Sequence, residues 1–152
     1  MRNRRIFVAA LLTLPLATVA SAQKPNFTGS WKLDPAKSDF GPQPVPDSMT
    51  MKVTHDDPKL KVNQSGPQGD SEMNFTTDGK EVTNQMQGMD VKGVAKWDGE
   101  NIVVNNKLDL GGTEVSFKQV YALSEGGKIL TANLHIVSPQ GEFDMKMVFN
   151  KQ

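Results

Sequence analysis

With no cysteine in the chain, its two histidines, His55 and His135, are the strongest metal ligands and bases on offer. Metal binding or catalysis would need other groups to converge on them. Neither histidine has a second ligand type at a metal-binding spacing. His55 ends a predicted strand beside Asp56 and Asp57, and two carboxylates before Pro58 describe a solvated turn. His135 shares a strand phase with Thr131 and Asn133, opposite Leu134 and Ile136, and should face water. The chain shows no nucleophile paired with a base, no two carboxylates on one inward face and no glycine-rich phosphate loop ahead of a helix. The acidic residues fall in turns or on the polar phase of strands. The expectation is a protein that is not an enzyme and has no cofactor and no metal.

Methionine suggests a different chemistry. Beyond the first residue there are seven, at positions 49, 51, 73, 86, 89, 145 and 147, most on the apolar phase of predicted strands. Methionine is flexible and polarisable, so it fills irregular space and adapts to differently shaped guests, whereas Ile, Val and Leu specify a dry core better. Asn106, Gln119 and Tyr121 fall on the same inward phase. A wet or occupied interior tolerates such groups and a sealed core does not.

Those side chains are carried by strands. Met49, Met51 and Val53 alternate with polar residues up to Asp56-Asp57-Pro58, and Leu60 and Val62 continue the alternation beyond it. Met73, Phe75 and Thr77 precede Asp78-Gly79, and Val91, Gly93, Ala95 and Trp97 precede Asp98-Gly99; each Asp-Gly is the pair that a tight hairpin favours. Ile102 to Leu108, Val115 to Leu123 and Leu130 to Ile136 repeat the pattern. The last strand sets Phe143, Met145, Met147 and Phe149 against Asp144, Lys146 and Asn150. With Phe27 to Leu33 at the front, about ten strands follow one another with no helical stretch between them. That rhythm predicts an all-β antiparallel up-and-down meander, which either closes into a small barrel or folds over as a sandwich. Residues 34 to 47 hold four prolines and a glycine and should form an irregular connection.

The amino terminus carries a leader. Arg2, Arg4 and Arg5 precede an apolar run from Ile6 to about Ala17, and Ala20 and Ala22 stand where a signal peptidase reads, so cleavage after Ala22 is expected. The run is short for a membrane span, and no later segment is apolar enough for one. Removing residues 1 to 22 leaves a single 130-residue domain, 23 to 152, with 14 lysines against 17 carboxylates and no arginine, a net charge of −3. Such a surface argues against a nucleic-acid partner, which needs clustered positive charge. The product should be a secreted or periplasmic monomer. An outer-membrane barrel would need an apolar outer face, yet the outer phase carries Lys32, Lys52, Lys61, Lys92, Lys96, Lys118 and Lys146.

Asn26-Phe27-Thr28-Gly29-Ser30-Trp31-Lys32-Leu33 resembles the opening strand of the calycins, the lipocalins and intracellular fatty-acid-binding proteins, whose mark is Gly-x-Trp near the start. Lys96-Trp97-Asp98-Gly99, Gly127-Lys128-Ile129-Leu130-Thr131 and Val148-Phe149-Asn150-Lys151 are similar in style to hairpins and the last strand of the fatty-acid-binding branch. The resemblance implies a closed barrel rather than a sandwich, with Phe27, Gly29 and Trp31 as a structural motif. A tryptophan on that face would plug one end, and a glycine would let a neighbouring chain approach. Two departures stand out. The family's short helical pair after the first strand is replaced by the proline-rich segment. The arginine and tyrosine with which the family commonly holds a fatty-acid carboxylate fall on Met147 and Phe149.

The expected function is an extracytoplasmic, non-enzymatic binding protein holding a small apolar or neutral amphipathic ligand. Met51, Val53, Met73, Phe75, Phe117, Gln119, Tyr121, Leu134, Met145 and Met147 would line the cavity. The alternative is a ligand-free structural or protein-interaction domain with a filled core.

Overall fold

A computed structural model describes residues 23–152; the expected leader and the expected cleavage after Ala22 lie outside the described residues. Ten antiparallel strands form one sheet: β1 (Gly29–Leu33), β2 (Thr50–Asp56), β3 (Lys59–Gly66), β4 (Gly69–Thr76), β5 (Asp78–Met86), β6 (Met89–Asp98), β7 (Asn101–Asp109), β8 (Glu114–Ser124), β9 (Ile129–Ser138) and β10 (Gly141–Lys151). Their order, β4-β3-β2-β1-β10-β9-β8-β7-β6-β5, is a meander whose first and last strands pair with each other. Trp31 lies opposite Lys151 and Leu33 opposite Phe149. The result is a nearly closed barrel, which hides the sheet edges that a flat meander would expose.

The remaining break falls in mid-chain, between β4 and β5, where Asp78-Gly79 leads the sequence to predict a tight hairpin. Thr77 explains the difference. Its N–H donates to the carbonyl of Pro58 at 2.8 Å and its hydroxyl to Asp57 at 2.5 Å, which ties the end of β4 to the β2–β3 turn. β5 starts at once at Asp78 and pairs away from β4, with Asp78 opposite Lys96 and a register irregularity before Glu81. Across the seam the buried side chain of Asn84 replaces a ladder: its Oδ1 accepts the N–H of Asn74 at 2.7 Å and its Nδ2 donates to the carbonyl of Asn74 at 3.0 Å.

The alternation read from the sequence becomes an inside and an outside. β2 runs exposed–buried through all seven of its residues, with Met51, Val53 and His55 inward. Inward side chains from both halves of the sheet form one apolar cluster that joins Phe27, Trp31, Met51, Phe75, Ile102, Leu130, Met147 and Phe149. Between β1 and β2 there is one short 3-10 turn, Pro35–Lys37, in an otherwise irregular connection. The connection prolongs the pairing of β1 along β10, with Asp34 N–H on the carbonyl of Val148 at 2.8 Å and Asp39 bridged to Lys146, and it then buries Phe40.

Candidate functional site

The interior has two unlike ends. At the end holding the β2–β3, β6–β7 and β8–β9 turns, three rings close the barrel. The centroids of Phe27 and His55 lie 5.9 Å apart, those of Phe27 and Trp97 6.1 Å, and those of His55 and Trp97 5.6 Å. Trp31 completes the seal, fully buried, with its indole N–H on the carbonyl of Phe27 at 3.3 Å. Gly29 leaves its room to that indole and to the stem of Lys151, both within 3.2 Å of where a Cβ would stand.

His55 is the residue whose role sequence reasoning missed. The Asp56-Asp57-Pro58 turn is exposed as expected, but His55 itself is only 6% exposed and belongs to the seal. Its phase with Met51 and Val53 was the available signal. Nδ1 accepts the N–H of Phe27 at 3.3 Å, which leaves the proton on Nε2, 3.5 Å from Asp57 Oδ1. Asp57 also accepts the indole N–H of Trp97 at 2.9 Å. The Thr77 hydroxyl chiefly holds the Asp57 carboxyl below its ordinary 3.8; burial opposes this, and Trp97 and His55 reinforce it. His135 lies on the outer wall, 2.7 Å from Asp144, with its side chain 41% exposed. Among the described residues no three His, Asp or Glu side chains gather in a way that could hold a metal ion.

Toward the other end, where the β3–β4, β5–β6, β7–β8 and β9–β10 turns lie, burial is uneven: Val91, Leu108 and Val115 form a buried row across β6, β7 and β8, while inner residues of β4, β8, β9 and β10 are less covered. All ten residues expected to line a cavity lie on the inner phase. Met51, Val53, Phe75, Tyr121, Met145 and Met147 are buried, while Met73, Phe117, Gln119 and Leu134 are half-buried. The register groups them on two walls. Val53 neighbours Val62 and then Met73 across β2, β3 and β4. Gln119 neighbours Leu134 and then Met145 across β8, β9 and β10, and Tyr121 neighbours Ala132 and then Met147. Ile136 and Phe143, which share the inner phase and are also half-buried, belong with them. Burial pushes the Tyr121 hydroxyl above its ordinary 10.0, so it stays neutral at any physiological pH.

Asn106 on β7 is the most informative inward polar group. It is 7% exposed, and its Oδ1 is fully buried with no hydrogen-bond partner. It stacks over Gly93 of β6, where a Cβ would collide with that oxygen and stand 2.6 Å from the ring of Phe75, which arrives from across the seam. Two open grooves, of about 680 Å³ along the seam beside Asn74 and Asn84 and of about 450 Å³ between Lys118 and Lys146, lie on the outer wall.

No family model matches the chain, and no curated protein matches it by sequence. Solved structures do match it in shape. A secretory abundant heat soluble protein of Ramazzottius varieornatus superposes with a TM-score of 0.63 at 18% identity, over 87% of this chain and 99% of that one. Zebrafish ileal bile acid-binding protein in complex with cholic acid superposes with a TM-score of 0.59 at 17% identity, over 83% of this chain and 98% of that one. A fatty acid transporter, REP1-NXSQ, gives a TM-score of 0.59 at 12% identity, over 83% of this chain and 96% of that one. The fold is a calycin-like barrel. This calycin-like barrel departs from the fatty-acid-binding pattern where the sequence says it does, since Met147 and Phe149 are buried on β10 and no arginine lies among residues 23–152.

Proposed function

We propose that this chain is an extracytoplasmic, non-enzymatic binding protein that holds a small apolar or neutral amphipathic molecule inside its barrel and admits it at the end opposite the Phe27–His55–Trp97 seal. The observation that carries the reading is incomplete burial on part of the inner wall. Met73, Phe117, Leu134, Ile136 and Phe143, on β4, β8, β9 and β10, stay only half-buried although they share the phase of the packed core. A chain selected for stability alone would bury that area, at roughly 25 cal/mol for each Å². A guest recovers it instead. Methionines on both walls provide a lining that reshapes around the guest. The leader at residues 1 to 22 supports a site of action outside the cytoplasm, and the lysine-studded outer phase supports a monomer in water with neither nucleic acid nor bilayer as partner.

The test is to purify the protein from its own cells, extract it with organic solvent and analyse the extract by mass spectrometry. A stoichiometric apolar guest is expected. A protein that yields none and takes up no neutral solvatochromic dye such as Nile red overturns the reading and leaves the filled-core alternative. Met147→Ala should weaken dye binding about tenfold by opening a void against the guest. An unchanged affinity would place the guest elsewhere.

A further inference from the structure

We infer that the guest carries a neutral hydroxyl head group recognised by Asn106, and is an alcohol rather than a carboxylic acid; this rests on the binding function proposed above. Asn106 is more than nine-tenths buried, and one end of its amide has no partner. A buried polar atom left unpaired is a standing cost to folding, and leucine, of similar shape, would remove it. The amide sits beside half-buried Phe117 on β8, one row inside the buried Val91, Leu108 and Val115.

The surroundings select the head group. A hydroxyl both donates and accepts, so it satisfies either end of an amide, whichever points inward. A carboxylate only accepts, and it brings a charge that must be paired where water is scarce. The inner walls provide no such pairing. No arginine lies among residues 23–152, and Lys92, Lys96, Lys118 and Lys146 take the outward phase of β6, β8 and β10. His55 sits in the opposite seal, with Nδ1 on the Phe27 N–H and Nε2 beside Asp57. Gln119 and Tyr121 add further neutral groups on the same face of β8. The ring of Phe75 and the Asn106 amide both stand over Gly93; Phe75 hangs from β4, whose seam edge is free of ladder bonds, so it is the group an arriving hydroxyl would displace.

The test is displacement of Nile red from the intact protein, residues 23–152, by oleyl alcohol, oleate and 9-octadecene at neutral pH. Oleyl alcohol should compete at least tenfold better than oleate or the hydrocarbon. Asn106→Leu should erase about tenfold of that advantage, read within each variant as the ratio of oleyl alcohol to 9-octadecene affinity. Asn106→Ala provides a second variant should Asn106→Leu fail to fold. Oleate binding as well as the alcohol, alcohol and hydrocarbon binding alike, or an advantage that survives Asn106→Leu would each overturn the head-group assignment and leave the binding function standing. If Nile red and all three competitors fail to bind, the binding function falls and the assignment with it.

Discussion

The seam between β4 and β5 rests on one side chain, and Asn84→Ala tests it. The substitution removes two hydrogen bonds, at 2.7 and 3.0 Å, between a buried amide and the backbone of Asn74. Each bond of this kind contributes about 1 kcal/mol net. The backbone groups set free lie beside the outer groove, where water can partly replace the lost partner, so the total should stay near 2 kcal/mol rather than double that. With a urea slope of about 2 kcal/mol per molar for a domain of this size, the unfolding midpoint should fall by about 1 M at constant slope. The amide of Asn74 should also exchange its hydrogen faster than those of Val62 or Val104, which lie on paired strands. Asn133→Ala, an exposed site on β9, is the control and should change stability by under about 0.5 kcal/mol. If Asn84→Ala costs no more than the control, or Asn74 exchange is unaltered, the seam is held by packing and the argument from the amide is wrong.

Other outcomes follow from the same geometry. Gly93→Ala drives a methyl into the Asn106 amide and the Phe75 ring and should cost about 1–3 kcal/mol in urea unfolding; a neutral result would mean that Phe75 moves freely. The Asp57 carboxyl is held below 3.8, so the stability it contributes is complete above that pH and is lost as pH falls through the lower folded-state value. Asp57→Asn should therefore flatten the acid limb of a Tm–pH profile below about pH 4. Because that side chain is 52% exposed, the effect should stay under about 1 kcal/mol, and a flattening above pH 5 instead would point to another group.

What the sequence made legible was periodicity. From β2 to β10 the inner phase was written in apolar residues every second position, and the structure keeps that phase at Met51, Val53, Met73, Phe75, Phe117, Tyr121, Leu134, Met145 and Met147. The Gly-x-Trp opening predicted closure, and β1 pairing with β10 provides it. What escaped were features set by contacts distant in sequence. Asp78-Gly79 is a hairpin signal by composition, and only the hold of Asp57 and Pro58 on Thr77 prevents the hairpin. Asn84 looks like any polar strand residue until β4 lies beside it. His55 was hidden by its chemistry: the carboxylates that follow suggest water, while its place in the alternation puts it under Phe27 and Trp97.

These departures separate by location. At the sealed end the polar groups of the plug are answered, His55 by Phe27 and Asp57, Trp97 and Thr77 by Asp57, and the Trp31 indole by the Phe27 carbonyl, although the buried Thr76 hydroxyl beside them has no partner. Local rules are broken there and the breach is repaired within the chain, which marks a structural plug. Away from the seal the breach is left unrepaired, with Asn106 unpartnered beside Gly93 and Met73, Phe117, Leu134, Ile136 and Phe143 only half-buried. A consistent sequence would place leucine at 106, because the unpaired amide lowers stability, and Gly93 is required only because Asn106 and Phe75 fill the space above it; under the proposed function a guest's hydroxyl would satisfy the amide that folding leaves unpaired.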